Sequence, residues 1–600
     1  MPRKRFYSLK EAVAMICEDD VVQQADIVVL PPAQVDELSD CELMDDNDLL
    51  TNDMLPDDVA GDVEVQYEAI SKLNEDYAPE KKRRRRESKD SKSQCSIRRS
   101  SRTSKPSSRF VTDYDIDDEA VSRNDKRHSG SLSAVRSSKN PGDSDNSPAD
   151  SASGSKVSRS VASRPAASKS KVLKPKVEWK KMKPKFSSQP INNEKQNLST
   201  VIGKLVDKSE VELFGQFFYD EVMNYIIGQS NLYAQQNNRH DFHMELYQLQ
   251  RFLGFLLFTG YHKLPRENMY WENAEDCSTT IVSSAMSRQT YRDIKRNLHL
   301  CDNTALNEAD KLFKIRRYTD LLNSKYAQFG VFAHNLSIDE QMVPYFGRHT
   351  CKMFMQGKPV RFGFKIWCIC SSDGYLFNFI PYAGKNDSLD SELGLGGGVV
   401  MQLLSVVSNP LQHAIYFDNF FSSHKLMIKL RDKQFHATGT VREPRLVDSV
   451  LQSSKVLNKK ERGAYDFSFD RINEVLAVKW HDNAVVTLVS NFQSVQPLLT
   501  TKRFCRSERK TVTVSQPNLV ASYNSHMGGV DLLDNFVAKY RVAVKGKKWW
   551  WPLFVNFIDV SLSNAWLLHR RVHRDMQMDL LEFRRRVTIA LLKSQPSNAG

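Results

Sequence analysis

Apolar and polar positions divide the chain into two halves of different character. From about Val201 onward, apolar residues recur at helical spacing in VELFGQFFYDEVMNYIIGQSNLYAQQ, YQLQRFLGFLLFTGYHKL, SRQTYRDIKRNLHL and KLFKIRRYTDLLNSKYAQFG, which predicts a mainly helical region ending near Ala333. At Asn335 the period shortens. LSIDEQMVPYF, VRFGFKIWCIC and GYLFNFIPYAG read as three consecutive strands parted by the turn sequences GKP and SSDG. VVMQLLSVVSNP reads as a helix, HAIYFDNFF as a fourth strand, SSHKLMIKLRDKQ as a helix capped by Ser422 or Ser423, and HATGTVRE as a fifth strand. GAYDFSFD, VLAVKWHDN and AVVTLVSN form a further β-rich patch, and helical spacing returns from MGGVDLLDNFVAKYRV through KKWWWPLFVNFIDVSLSNAWLLHRRVHR.

The first 195 residues show no such periods. They open acidic between Glu18 and Glu64, pass through the run Lys81–Arg86 (KKRRRR), and continue as a Ser-, Lys- and Arg-rich tract. With so few apolar groups to offset the entropy of ordering, this stretch is expected to be a disordered tail. The basic run is either a solvated charge cluster or, as such density beside disorder favours, a nuclear localisation signal or DNA tether. Composition adds a partner class. Lys plus Arg number 85 against 72 Asp plus Glu, a formal charge of +13, which favours nucleic acid. Nine cysteines without repeated spacing suit a reducing compartment. The charged start MPRKRF lacks a signal peptide's apolar stretch, and no run approaches the length that spans a bilayer. The expectation is a soluble nuclear protein with no membrane partner.

The series strand, strand, strand, helix, strand, helix, strand is that of an RNase H-like core, an α/β fold whose first and fourth strands lie side by side. Enzymes on this fold hold two divalent cations about 4 Å apart with carboxylates, to activate water or a 3′-hydroxyl at a phosphodiester. Asp339 falls in the first strand and Asp418 at the end of the fourth, each an acid in apolar surroundings where charge is costly unless paired or metal-bound. Asp531 and Asp534 stand three residues apart on one helix face. Taken singly, each is better read as a strand-end or capping carboxylate; their joint placement makes a candidate metal site. Strand alternation sends Glu340 and Asn419 to the opposite sheet face. Arg348, Lys352, Lys358, Arg361 and Lys365 cluster around the first hairpin and read as a phosphate track. In KGKKWWWP the three Trp read as core anchors, leaving Lys545, Lys547 and Lys548 as DNA contacts. Cys368 and Cys370 read as buried strand residues, not ligands.

SIDEQMVPYFGRHTCKMFMQGKPVRFGFKIWCIC, YFDNFFSS with HATGTVRE, and YNSHMGGVDLLDNFVAKYR with KKWWWPL and SNAW resemble the PiggyBac-type transposases, in the family's order, over about Val201 to Val587. GYHKLPRENMYWE extends the resemblance upstream. It implies a DDD triad at Asp339, Asp418 and Asp531 with Asp534 as a fourth carboxylate, and a two-metal Mg²⁺ site. It also implies double-stranded DNA cut through hairpin intermediates at TTAA sites, and a homodimer. The implied layout is a catalytic domain at 334–443 and 512–540, a β-rich insertion at 444–511, and a helical DNA-binding and dimerisation domain split between 196–333 and 541–600. One feature departs from the pattern. Family members commonly end in a cysteine-rich zinc module, whereas Cys505 is the last cysteine here, so no zinc site is expected. Two functions share this fold: a DNA strand cleavage and transfer enzyme, and a domesticated, non-catalytic DNA- or chromatin-binding protein. A nuclear scaffold acting through its charged tail would account for the first third alone.

Overall fold

The computed structural model describes residues 176–187 and 194–596, with gaps at 220, 356–357, 359, 385–391, 447, 506–508 and 576–577, and nearer the start the backbone of three strands. Those strands, β1 (Arg3–Phe6), β2 (Val22–Val29) and β3 (Val63–Ala69), form an antiparallel sheet in the order β1-β3-β2. They fall within the stretch whose composition argues for disorder. VEVQYEA nonetheless sets Val63, Val65 and Tyr67 at strand period, a local signal that averaging over a long tail conceals. The run Lys81–Arg86 lies outside the described residues.

Residues 176–187, also grouped with the tail by composition, dock on the body. There β4 (Trp179–Lys180) adds an edge strand, and Phe186 meets Phe469 edge-on at 5.6 Å. Helices follow: α1 (Glu194–Leu205), α2 (Glu210–Phe218), α3 (Glu221–Gln236), α4 (Leu246–Thr259), α5 (Thr280–Ala285), α6 (Arg288–Asn297) and α7 (Phe313–Ala327). Capping sets their starts. Ser209 donates its amide to Glu212 ahead of α2, and Ser287 Oγ accepts the Thr290 amide at 3.0 Å ahead of α6.

The strands and helices of the next segment are β5 (Asn335–Pro344), β6 (Lys352–Phe354), β7 (Phe362–Ser371), β8 (Leu376–Pro381), α8 (Gly394–Leu403), β9 (Ala414–Phe417), α9 (His424–Asp432) and β10 (His436–Thr440). Ser423 caps α9, its Oγ accepting from Leu426. β5 lies between β9, parallel, and β7, antiparallel; β10 runs parallel beyond β9, and β8 pairs with β7. β7, apolar at most positions and paired on both edges, is buried along its whole length, Lys365 included.

After the short α10 (Ser454–Leu457) come β11 (Tyr465–Asp470), β12 (Val475–His481) and β13 (Val485–Ser490). They do not make a sheet of their own. β13 pairs antiparallel with β10, Thr438 facing Ser490, so one sheet runs β4-β11-β12-β13-β10-β9-β5-β7-β6. β14 (Leu499–Cys505) and β15 (Lys510–Gln516) form a separate two-stranded ribbon.

The chain closes with α11 (Asn518–His526), α12 (Gly529–Lys539), α13 (Trp551–Val572) and α14 (Leu580–Leu592). α13 is buried over most of its length, and its buried polar residues Asn556, Asp559, Ser561 and Asn564 each take hydrogen-bond partners there. It receives the Tyr326 hydroxyl on Ser561 and the Tyr318 hydroxyl on the Phe554 carbonyl, so the early and late helices share one body. A single apolar core links these helices to the central strands. Among the described residues, no helix is long and apolar enough to cross a membrane.

Candidate metal-carboxylate site

Asp339 lies in the middle of β5, Asp418 directly after β9, and Asp531 in the first turn of α12 with Asp534 one turn on. The parallel pairing of β5 with β9 brings the first two side by side, each one residue past the pair Ile338 and Phe417. Glycine brings the third. A Cβ at Gly529 would stand 2.2 Å from the Ser371 carbonyl oxygen and 2.4 Å from Ser337 Oγ, so only glycine lets the start of α12 pack this closely on β5 and β7.

One ammonium connects the acids. Lys358 Nζ is 3.8 Å from Asp339 Oδ2, 3.7 Å from Glu340 Oε1 and 3.8 Å from Asp531 Oδ1. Lys365 Nζ lies 3.8 Å from Glu340 Oε2, buried with the Phe420 ring centroid 4.7 Å away. Glu340 therefore faces the acids' own cations. Alternation along β5 does not isolate it, because lysine side chains reach it from β7 and from the β6–β7 connection. Asp534 is held differently: Gln341 Nε2 donates to its Oδ1 at 2.6 Å, and Asn556 Nδ2 on α13 donates to Gln341 Oε1 at 3.0 Å.

Burial dominates the electrostatics. It pushes the Asp339 carboxyl far above its ordinary range against the opposing Lys358 charge, with Glu340 and Asp418 adding to the rise. Asp418 is raised by burial against hydrogen bonds from the Phe420 and Phe421 amides. Asp534 is pushed up to about 6 by burial against the Gln341 hydrogen bond. Burial works to lower Lys358, but the four carboxylates around it outweigh burial and raise it. Lys365 is lowered by burial. The site thus holds more acid than its lysines compensate, all of it hard oxygen, the donor chemistry that Mg²⁺ requires. Among the described residues, no three His, Cys, Asp or Glu side chains close into a metal cage.

The basic residues divide. Arg348, Arg361, Lys545 and Lys547 are exposed. Lys548 is not a surface contact: it is fully buried, and its ammonium donates to the carbonyls of Lys295, Arg296 and Leu298 at 3.2, 2.9 and 2.7 Å. It satisfies the carbonyls that end α6, which a helix terminus otherwise leaves without partners. Lys352 and Lys365 are likewise buried, so the phosphate track reduces to its outer members. Trp549, Trp550 and Trp551 are core, as are Cys368 and Cys370.

The transposase IS4 family model matches residues 209–566, a span that contains all four acids. Over 392 residues the chain is 38% identical to human PiggyBac transposable element-derived protein 3, covering 65% of this chain and 66% of that protein. Over 394 residues it is 36% identical to human PiggyBac transposable element-derived protein 2, with the same shares. The chain belongs to the PiggyBac-type transposase family. It spans just under two thirds of the length of these curated relatives. A piggyBac transposase solved as a synaptic complex with hairpin DNA shares the fold, with a TM-score of 0.53 at 22% identity over 64% of this chain and 80% of that one.

In this PiggyBac-type chain, sequence reasoning missed three residues beside the candidate acids. Glu340 adds a carboxylate, Gln341 links Asp534 to α13, and Tyr523 on α11 lies within the field of Asp418, Asp339 and Asp531, its hydroxyl pushed up to about 12 chiefly by burial. A buried Gln among strand residues was the one signal available, since a buried amide must find partners.

Proposed function

We propose that this PiggyBac-type chain binds double-stranded DNA and carries a DDD centre for metal-dependent strand cleavage and transfer, with Asp339, Asp418 and Asp531 as the triad and Asp534 beside them. The observation that carries this reading is the convergence of Asp339, Glu340 and Asp531 on one ammonium, from segments far apart in the chain. The order β8-β7-β5-β9-β10, with β5, β9 and β10 parallel, supports an RNase H-like core. Mg²⁺ held by these carboxylates would stabilise charge on the attacking and leaving oxygens of a phosphodiester. The chain's own part is to aim the acids: β5 and β9 fix two of them, and the Gly529 contact fixes α12. Exposed Lys545, Lys547, Arg348 and Arg361 supply phosphate contacts, whose strength falls with salt as counterions are released. Action at TTAA sites, homodimerisation and a nuclear location complete the proposal.

The test is Mg²⁺- or Mn²⁺-dependent nicking of a TTAA-containing duplex by the full chain, beside an Asp418→Asn control. Nicking that this substitution abolishes supports the enzyme. DNA binding without cleavage supports the second reading, a domesticated, non-catalytic binder.

A further inference from the structure

Among the described residues most paired lysines close tightly on one carboxylate, and the loose pairs are Lys358 and its neighbour Lys365, of which Lys358 alone is shared among three acids. Lys181 closes on Asp466 at 2.6 Å and Lys295 on Glu267 at 3.0 Å, the distances of charge-assisted hydrogen bonds. Lys358 instead sits 3.7–3.8 Å from three carboxylates, equidistant within 0.1 Å and bonded tightly to none of them. Among the described residues, its hydrogen-bond contact is a long 3.5 Å donation to the Glu340 carbonyl. The attraction is therefore to the summed field of Asp339, Glu340 and Asp531, and a cation held by a field is replaceable by another cation. The way out is open: the Lys358 side chain is 24% exposed and Asp531 69%, whereas Lys365, on the other side of Glu340, is 6% exposed and enclosed.

Resting on the reading of these acids as a divalent-cation site, we propose that Lys358 is a built-in competitor for the metal. It fills the space shared by Asp339, Glu340 and Asp531 when no divalent cation is present, and gives it up when one enters. It acts as a positioning residue: it keeps the acids drawn together before the cation arrives, and in exchange it weakens the cation's binding. A unit charge a few ångströms from an incoming cation changes affinity by about tenfold or more at the effective dielectric of a protein interior.

The experiment is Mn²⁺ titration of the full chain followed by electron paramagnetic resonance of the free ion, for wild type, Lys358→Met, Lys358→Arg and Asp418→Asn. The expected result is Mn²⁺ bound about tenfold more tightly by Lys358→Met than by wild type, while Lys358→Arg stays near the wild-type value. Thermal melts run beside it should show Lys358→Met below wild type without metal and gaining more from Mn²⁺. Should Lys358→Met fail to fold, Lys358→Gln takes its place. Equal or weaker Mn²⁺ binding by the neutral variants overturns the competitor role and leaves the metal site standing. Absence of Mn²⁺ binding in every variant, or binding that Asp418→Asn leaves untouched, overturns the site reading itself and this inference with it.

Discussion

Replacing Asp534 with Asn should stabilise the metal-free protein at neutral pH, although it removes an acid expected to serve the reaction. Burial holds this carboxyl at about 6, against an ordinary 3.8. That difference corresponds to roughly 3 kcal/mol between the protonated and charged forms. A carboxyl raised by folding costs nothing below its unfolded value. The cost grows as pH rises from about 4 to about 6 and is constant above. Water reaches the residue in part, so about 1–3 kcal/mol is the realistic range. The amide of the Asp534→Asn variant would keep the oxygen that accepts from Gln341 Nε2 and remove the charge. Melting curves at about pH 4 and pH 7.5, in chelator, should show the variant level with wild type at the lower pH and a few degrees above it at the higher. Millimolar Mg²⁺ should then close the gap, because the cation stabilises the charged wild-type site by mass action and the variant less. An Asp534→Asn protein that melts below wild type at the higher pH in chelator would refute the reasoning, since it would mean that the charge is compensated.

Lys548→Met should cost about 2–4 kcal/mol of stability by stranding three carbonyls at the end of α6, read by denaturant melts. Its exposed neighbours should behave in the opposite way: Lys545→Ala and Lys547→Ala should leave the melt unchanged, weaken duplex binding alike for all sequences, and each cut the slope of log affinity against log salt by about 1. Gly529→Ala should destabilise by roughly 1–3 kcal/mol as its Cβ meets the Ser371 carbonyl, and should lower Mn²⁺ affinity by moving Asp531; unchanged Mn²⁺ binding would detach Asp531 from the site. Arg584→Met should cost about 3–5 kcal/mol by removing the ion-pair partner of buried Asp559, to which the Val542 amide still donates, whereas the double variant with Asp559→Leu should recover part of the loss.

Wherever periodicity decides structure, the fold could be read from the chain. β5, β7, β8, β9 and β10 start and stop close to the runs LSIDEQMVPYF through HATGTVRE, because each run is apolar at strand length and bounded by turn residues. Asp339 and Asp418 stand out as candidates because an acid amid apolar strand residues is costly without a purpose, and Asp531 and Asp534 because their spacing puts them on one helix face. What pattern could not show was direction. Lys545, Lys547 and Lys548 look alike in sequence, yet Lys548 alone points inward, since the end of α6, 250 residues earlier at Leu298, supplies its partners. The merging of β11–β13 with the central sheet rests on the pairing of Thr438 with Ser490 across an intervening segment, which no local period records. The docking of 176–187 is likewise non-local: Glu178 donates its amide to Asp470 and its carboxylate accepts from Arg471, while Trp179 packs near His424.

These non-local bonds also tie the surface lysines to the acids. The segment between α12 and α13 carries exposed Lys545 and Lys547, yet it is fastened along its length. Val542 donates to Asp559 at 3.1 Å, Ala543 to Thr259 Oγ1 at 3.2 Å, and Lys548 to the end of α6. Trp551 Nε1 closes back on the Val544 carbonyl at 2.9 Å. On the far side, Asn556 of α13 reaches Asp534 through Gln341. A phosphate gripped at Lys545 or Lys547 is therefore fixed relative to the acids by a short chain of buried hydrogen bonds. Loosening one buried link, for instance with Gln341→Leu, should leave duplex affinity intact while uncoupling it from the acids. Added Mn²⁺ would then no longer change the affinity for DNA, although each ligand still bound alone.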